Sequence, residues 1–144
     1  MRAVLDTNVV VSATLIRGGN EDQILQGWRL GAFELVLSPP VIDEMASALV
    51  YERLQRRQWM TRAEIVALLQ AFAEESILVP GRVTVKASRD PEDDKFLAAA
   101  IEGRALYVVT GDRDLLDLTV YRGIRIVRPA PFLQILRNPK LTEE

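Results

Sequence analysis

Acidic residues follow short apolar runs at two places in this chain. Asp6 comes directly after the run Ala3–Leu5, and Asp112 comes three residues after the run 106–109. Continuous apolar runs of this length predict strands that are buried on both faces, as in parallel sheets. The carboxyl ends of such strands form the edge at which open α/β sheets bind ligands. Both carboxylates are therefore candidates for one shared binding site.

Two further segments place acids where the same edge should lie. Glu44 lies in the first turns of a helix predicted from Val41 to Leu54, which follows a predicted strand over 33–37. The polar run 88–95 contains four acids and precedes another predicted helix. An acid in the first turn of a helix often only stabilises the helix dipole, and this reading stays open for Glu44. The helix-dipole interpretation explains the four acids of the run 88–95 less well, because adjoining carboxylates repel one another.

The acids predict a site for a hard divalent cation. Right-handed crossovers would bring Asp6, Glu44, Asp94 and Asp112 to one edge of the sheet. Such a group cannot stay fully ionised unless a cation is bound or some pKa values rise. The chain has no Cys and no His, which excludes zinc sites built on thiolate or imidazole, disulfides and His general bases. The remaining kind of metal site is one in which carboxylates bind Mg²⁺ or Mn²⁺. Such ions can activate water for phosphodiester hydrolysis.

The elements that must position these acids alternate between strands and helices. This order predicts the α/β class, with a central parallel sheet of four or five strands flanked by helices. Thr7 and Asn8 are suited to cap the first helix. Thr61 and Glu64 predict a capping box, so that the helices on either side of this point form a helical hairpin inserted between strands. We expect one domain over residues 1–137 and a frayed tail over 138–144.

The composition is typical of a globular chain, and its charge balance gives no overall positive electrostatic potential. Of its 144 residues, 49% are hydrophobic and 26% are charged, and the net charge is -2 with a pI of about 5.3. Binding to nucleic acid would therefore need a local basic patch. No stretch approaches the roughly 18 apolar residues of a membrane span. Asp6 interrupts the apolar start, unlike in a signal peptide, so we expect a cytoplasmic location.

The densest basic cluster lies between the two helices of the predicted hairpin. It contains Arg53, Arg56, Arg57 and Arg62, with aromatic residues nearby. One interpretation is a groove wall that contacts phosphates. The other is a solvated helix end, where positive charge is favourable in any case. The sequence does not decide between them.

Four stretches resemble the PIN-domain ribonucleases, and most closely the VapC-like toxins of prokaryotic toxin–antitoxin modules. They occur in the order found in that family and are VLDTNVVVSA (4–13), SPPVIDEM (38–45), DPEDDKFLAAA (90–100) and VTGDRDLL (109–116). The resemblance implies a parallel sheet flanked by helices and cleavage of RNA with Mg²⁺ or Mn²⁺. By motif position it implies catalytic and metal-binding roles for Asp6, Glu44, Asp94 and Asp112.

Further roles follow from the same resemblance. Asp114 matches a variable additional metal ligand, and Asn8 and Thr110 match polar residues that support the site. Arg113 joins Arg53, Arg56 and Arg57 as a candidate RNA contact. Many relatives are homodimers that a cognate antitoxin silences, so we expect both kinds of partner and no membrane partner. The apolar helices around Trp28 and Trp59 would supply a dimer face or an antitoxin groove, or else belong to the core.

Two other functions fit the sequence less well. A phosphatase of the haloacid dehalogenase type also begins with a strand and an Asp, but it needs a second Asp where this chain has Asn8. A non-catalytic PIN-like module that binds RNA or protein would not need the acids. Crowded carboxylates destabilise a fold and repel phosphate unless a cation is bound, so a complete acid set disfavours that alternative.

Overall fold

Six short strands form one sheet with seven helices around it in the computed structural model, which describes residues 1–140. The strands are β1 (Arg2–Leu5), β2 (Glu34–Leu37), β3 (Ile77–Leu78), β4 (Tyr107–Val109), β5 (Val120–Tyr121) and β6 (Ile124–Val127). The helices are α1 (Thr7–Leu15), α2 (Asn20–Arg29), α3 (Pro39–Leu54), α4 (Arg62–Glu75), α5 (Asp94–Glu102), α6 (Arg113–Leu116) and α7 (Pro129–Arg137). The predicted α/β class with flanking helices is confirmed.

The sheet has the order β3-β2-β1-β4-β6-β5 and is parallel except at its β5 edge. It contains one strand more than the four or five expected, because β5 folds back antiparallel onto β6. The connecting residues Arg122 and Gly123 both have positive φ, 50° and 82°, which suits a tight two-residue hairpin turn. Arg is an uncommon residue in such a turn, so no sequence pattern predicts the hairpin.

Strand β4 and residues 3–5 of β1 are buried, as their continuous apolar runs predict. Aromatic side chains fill the space between the sheet and the helices. Phe132 of α7 lies 5.3 Å from Phe33 and 5.7 Å from Tyr107, measured between ring centroids. Gly103 ends α5 directly against β2, where a Cβ atom would come within 2.4 Å of a Val36 methyl. The C-terminal end of α5 therefore packs on the sheet too closely for any side chain.

Local signals at the helix ends are partly confirmed. The expected cap of α1 by Thr7 or Asn8 is wrong, because Asp6 is the N-cap and its carboxylate accepts the backbone N–H of Asn8. The capping box of Thr61 and Glu64 is present at the start of α4. Helices α3 and α4 form the predicted hairpin between β2 and β3. The Trp59 indole N–H holds the hairpin loop to the end of α1 by donating to a backbone carbonyl at 2.8 Å.

Strand order reverses at the centre of the sheet. From β1 the chain continues outward to β2, whereas from β4 it continues to β6 on the other side. A crevice for a ligand is expected at the carboxyl ends of the two strands that flank such a reversal. Within residues 1–140, every helix is too short or too polar to cross a bilayer. Residues 141–144 of the predicted frayed tail lie outside the described part of the chain.

Candidate metal centre

One hydroxyl group connects the acids that follow the two central strands. Asp6 follows β1 and is 3% exposed, and the fully buried Thr110 donates its hydroxyl proton to Asp6 Oδ2 at 2.7 Å. The same Thr110 oxygen accepts the backbone N–H of Asp112 at 2.9 Å. Thr110 thus fixes Asp6 relative to the Asp112 backbone. This contact is consistent with the supporting role that the sequence implied for Thr110.

Burial and like charge act together on Asp6. Burial raises its pKa, and the nearby charges of Glu44 and Asp112 raise it further. Hydrogen bonds from the Thr110 hydroxyl and the Asn8 backbone act in the opposite direction without reversing the shift. The Asp6 carboxylate therefore lies close enough to Glu44 and Asp112 to repel both.

Asp93 joins this group from the polar run before α5. It ends a short 3₁₀ turn over Pro91–Asp93 and is 8% exposed. Burial raises its pKa to about 7, and the adjacent Asp112 carboxyl group and the charges of Asp90 and Asp6 contribute. A hydrogen bond between the carboxyl groups of Asp93 and Asp112 requires a proton on one of them. With both ionised, Asp93 Oδ2 is a buried oxygen without a donor among the described residues.

A second acid from the same run extends the cluster. Carboxylate oxygens of Asp90, Asp93 and Asp114 lie within 4.8 Å of one another. Asp112 Oδ1 accepts the backbone N–H of Asp114 at 2.9 Å and so caps α6. Arg89 pairs with Asp114 at 3.4 Å and also contacts Asp117. Asp114, predicted as an additional ligand, therefore lies within the cluster with Asp90 and Asp93.

Glu44 lies beside the cluster with both of its oxygens occupied. Oε2 accepts the hydroxyl proton of the buried Thr7, and Oε1 accepts from the Lys95 ammonium at 2.7 Å. Lys95 also contacts Glu92 at 3.4 Å. Burial opposes the charged form of Lys95, but its hydrogen bonds and charge interactions with Glu44 and Glu92 outweigh this effect and raise its pKa.

Asp94 faces a different set of donors. Its Oδ1 accepts the backbone N–H groups of Ala87 at 3.2 Å and Ser88 at 2.8 Å, and so fixes the segment that precedes the acidic run. The predicted metal-binding role of Asp94 stays a prediction. Asn8 is exposed and reaches the site through its backbone N–H group, which donates to Asp6.

The predicted RNA-contacting arginines lie at different distances from the acids. Arg53 is at the far end of α3, and the nine residues from Glu44 to Arg53 correspond to about 14 Å of helix. Arg56 and Arg57 follow in the exposed hairpin loop. Arg113 is exposed directly beside Asp112. All four contacts with RNA stay predictions, and of these residues Arg113 is next to the acids in sequence.

Sequence reasoning assigned no role in the site to Asp93 or Lys95, and it treated Thr7 only as a helix cap. A usable signal existed for Asp93. The buried residues Phe96, Leu97 and Ala100 lie three, four and seven positions after it, so Asp93 continues their face of the helix by one turn. No comparable pattern marks Lys95 or Thr7.

The residues present fit a hard divalent cation. Carboxylate oxygens are the donors that Mg²⁺ and Mn²⁺ prefer. Among the described residues Asp93 Oδ2 is buried and has no donor. Burial first, and neighbouring carboxylates second, raise the pKa values of Asp6 and Asp93, so their ionised forms are unfavourable here. A bound cation would relieve both conditions.

Comparison with known proteins agrees with this arrangement, since residues 2–114 match the PIN domain family. The chain belongs to the PIN domain family. An uncharacterized protein of Methanocaldococcus jannaschii is 29% identical to this PIN domain over 118 residues, covering 82% of this chain and 75% of that protein. The predicted membership is thereby confirmed, and with it a nuclease-type fold. PIN-domain nucleases act on RNA and use divalent metals.

Proposed function

We propose that this PIN domain is a metal-dependent endoribonuclease. The observation that carries the proposal is the buried Asp93 oxygen that has no donor within residues 1–140, beside Asp112 and close enough to feel the charge of Asp6. Acids from β1, the 3₁₀ turn and the β4–α6 connection converge on this point at the carboxyl edge of the sheet. A fold built only for stability would not retain such crowding, because each shift in pKa reports a cost to the ionised form.

Each residue has a defined task in the proposed site. Asp6, Asp93 and Asp112 would hold Mg²⁺ or Mn²⁺, with the predicted ligands Glu44 and Asp94 as further candidates. The bound cation supplies Lewis acidity for activating water and charge compensation at the phosphodiester. Thr110 keeps Asp6 in place through its 2.7 Å hydrogen bond.

Asp93 can hold a proton in the metal-free protein, where its pKa is raised to about 7. A bound cation would favour the ionised carboxylate, so Asp93 would release this proton when the metal binds. The chain has no His, so carboxylates are the side chains best suited to accept a proton from the attacking water.

Digestion of total RNA tests the proposal. We expect cleavage with Mn²⁺ or Mg²⁺ and none with EDTA. The variants Asp6→Asn and Asp93→Asn should lose at least about a hundredfold in rate. Asp43→Asn, which changes an exposed acid next to Glu44, is the matched control and should cleave normally.

Thermal melting of each variant establishes that it is folded. Normal cleavage by folded Asp6→Asn and Asp93→Asn, or undiminished cleavage in EDTA, would contradict the proposal. A binding module without activity would give no cleavage, no heat with Mn²⁺ and no rise in melting temperature with the metal.

The biological role proposed for this nuclease is that of the toxin in a toxin–antitoxin pair. Its support is the motif resemblance, together with an apolar groove of about 280 Å³ between α3 and α4. Val50 and Leu54 are 56% and 75% exposed there. Neighbouring exposed apolar side chains of this kind often mark a protein-binding surface. Trp28, considered from the sequence as part of such a surface, is instead buried against Phe72.

Two measurements test this role. Expression in a host cell should arrest growth, whereas expression of the Asp93→Asn variant should not, and co-expression of a small protein encoded beside the gene should restore growth. Light scattering of the purified protein tests the proposed homodimer. Normal growth with an active wild-type nuclease would reject the toxin role while leaving the nuclease proposal intact.

A further inference from the structure

Glu44 is the one predicted metal ligand whose two oxygens are both occupied by side chains of the chain itself. Thr7 donates to Oε2 and the Lys95 ammonium lies 2.7 Å from Oε1. The Glu44 carboxylate nevertheless lies in the acidic site, because its charge acts on Asp6. A carboxylate oxygen that accepts one hydrogen bond keeps a further lone pair, so the obstacle to a cation at Glu44 is the positive charge of the Lys95 ammonium beside Oε1.

The Lys95 side chain is placed as a counter-ion of the site. It is only 18% exposed and lies between Glu44 and Glu92, immediately after Asp93 and Asp94 in sequence. We propose that Lys95 is a positioning residue that holds Glu44, and that a divalent cation binds the acidic site in competition with the Lys95 ammonium. The inference rests on the metal binding in the proposed function, but it does not require RNA cleavage.

Electrostatics gives this competition its direction. The ammonium neutralises one carboxylate of the site and also repels any divalent ion a few ångströms away. Exchange is feasible, because the Glu44 side chain is 36% exposed and ion pairs with such access to water are weak. Loss of the ammonium should free Glu44 Oε1 and remove the repulsion, so both effects act in favour of the metal.

Calorimetric titration of the RNA-free protein with Mn²⁺ tests the inference. Lys95→Met should bind Mn²⁺ about tenfold more tightly than the wild type, since this is the effect in water of a unit charge roughly 6 Å from a divalent ion. Lys95→Gln is a second variant with the same expected result. Lys95→Arg keeps the charge and should stay within about threefold of the wild type.

The matched control is Lys86→Met, which removes the charge of an exposed lysine and changes the net charge equally. It should leave the Mn²⁺ affinity within about threefold. Melting in EDTA reports folding, and a purely structural Lys95 would lower the melting temperature without tightening Mn²⁺ binding.

The outcomes separate this inference from the proposed function. Unchanged or weaker Mn²⁺ binding by both Lys95→Met and Lys95→Gln overturns the inference, even if the wild type cleaves RNA with Mn²⁺. Tighter binding by both variants supports it, even if no RNA is cleaved and the ribonuclease proposal fails. Absence of Mn²⁺ heat in the wild type and in both variants overturns the inference and the metal-dependent function together.

Discussion

Substitution of Asp93 by Asn should make the metal-free protein more stable at alkaline pH. Asp93 is buried beside Asp112 and has a pKa of about 7 in the folded protein, against an ordinary value of 3.8. Asn has nearly the same shape and carries no charge. The substitution therefore removes a destabilising negative charge, although it also removes a proposed metal ligand.

The sign and size of the effect follow from proton binding. Below about pH 4 the Asp93 carboxyl is protonated in both the folded and the unfolded chain, so its titration contributes nothing. Between about pH 4 and 7 only the folded protein keeps the proton, so the free energy of unfolding falls as the pH rises. A shift of about three pKa units at about 1.4 kcal/mol each sets an upper limit of about 4 kcal/mol at pH 8. Asp112 shares the repulsion, so the measured value should be smaller.

Urea denaturation in EDTA at pH 4, 6 and 8 measures this difference. Asp93→Asn should match the wild type at pH 4 and be more stable at pH 8, with most of the change between these values. Asp43→Asn is the control for net charge and should show no such pH-dependent gain. Mn²⁺ at about 100 times its Kd should shift the difference at pH 8 towards the wild type by about 2.7 kcal/mol, because the variant lacks a proposed metal ligand.

The reasoning would be refuted by parallel pH profiles of wild type and Asp93→Asn in EDTA. A lower stability of the variant at pH 8 would also contradict it. Either result would mean that the Asp93 carboxylate has a compensating donor in the folded protein.

Three further substitutions test the fold and the site. Gly103→Ala should lower the free energy of unfolding by about 1–3 kcal/mol in urea, because its Cβ would overlap a Val36 methyl at 2.4 Å. Thr110→Val should weaken Mn²⁺ binding in calorimetry by about 10–100-fold, because Asp6 loses its buried donor. Trp59→Phe should cost about 1–2 kcal/mol through the lost indole hydrogen bond and leave RNA cleavage unchanged. Stability of Gly103→Ala equal to wild type, or unchanged Mn²⁺ affinity in Thr110→Val, would contradict the geometry.

The fold and the proximity of two acids of the candidate site could be predicted because both depend on strong local patterns. Asp6 and Asp112 follow buried apolar strands, and the alternation of strands and helices brings those strand ends to one edge. Neither inference needs detailed packing. The small hairpin of β5 and β6 depends on positive φ at Arg122, for which the residue type gives little warning.

The roles of the remaining acids depend on rotations that spacing does not reveal. A 3₁₀ turn precedes α5 and turns Asp93 inward, whereas Asp94 accepts backbone N–H groups of the preceding segment. Two adjacent and chemically identical residues thus make different contacts. The pairing of Lys95 with Glu44 joins positions 51 residues apart, and no local pattern predicts such a contact.

The match to the PIN domain family ends at residue 114. Strand β6 and helix α7 lie beyond that residue. Strand β6 nevertheless pairs along β4, from Tyr107 to Val109, and the fully buried Phe132 of α7 covers the aromatic residues beneath it. A fragment cut at residue 114 would present a bare apolar strand to its neighbours in solution and should aggregate by edge pairing. The smallest unit suited to expression and crystallisation therefore reaches at least to Arg137.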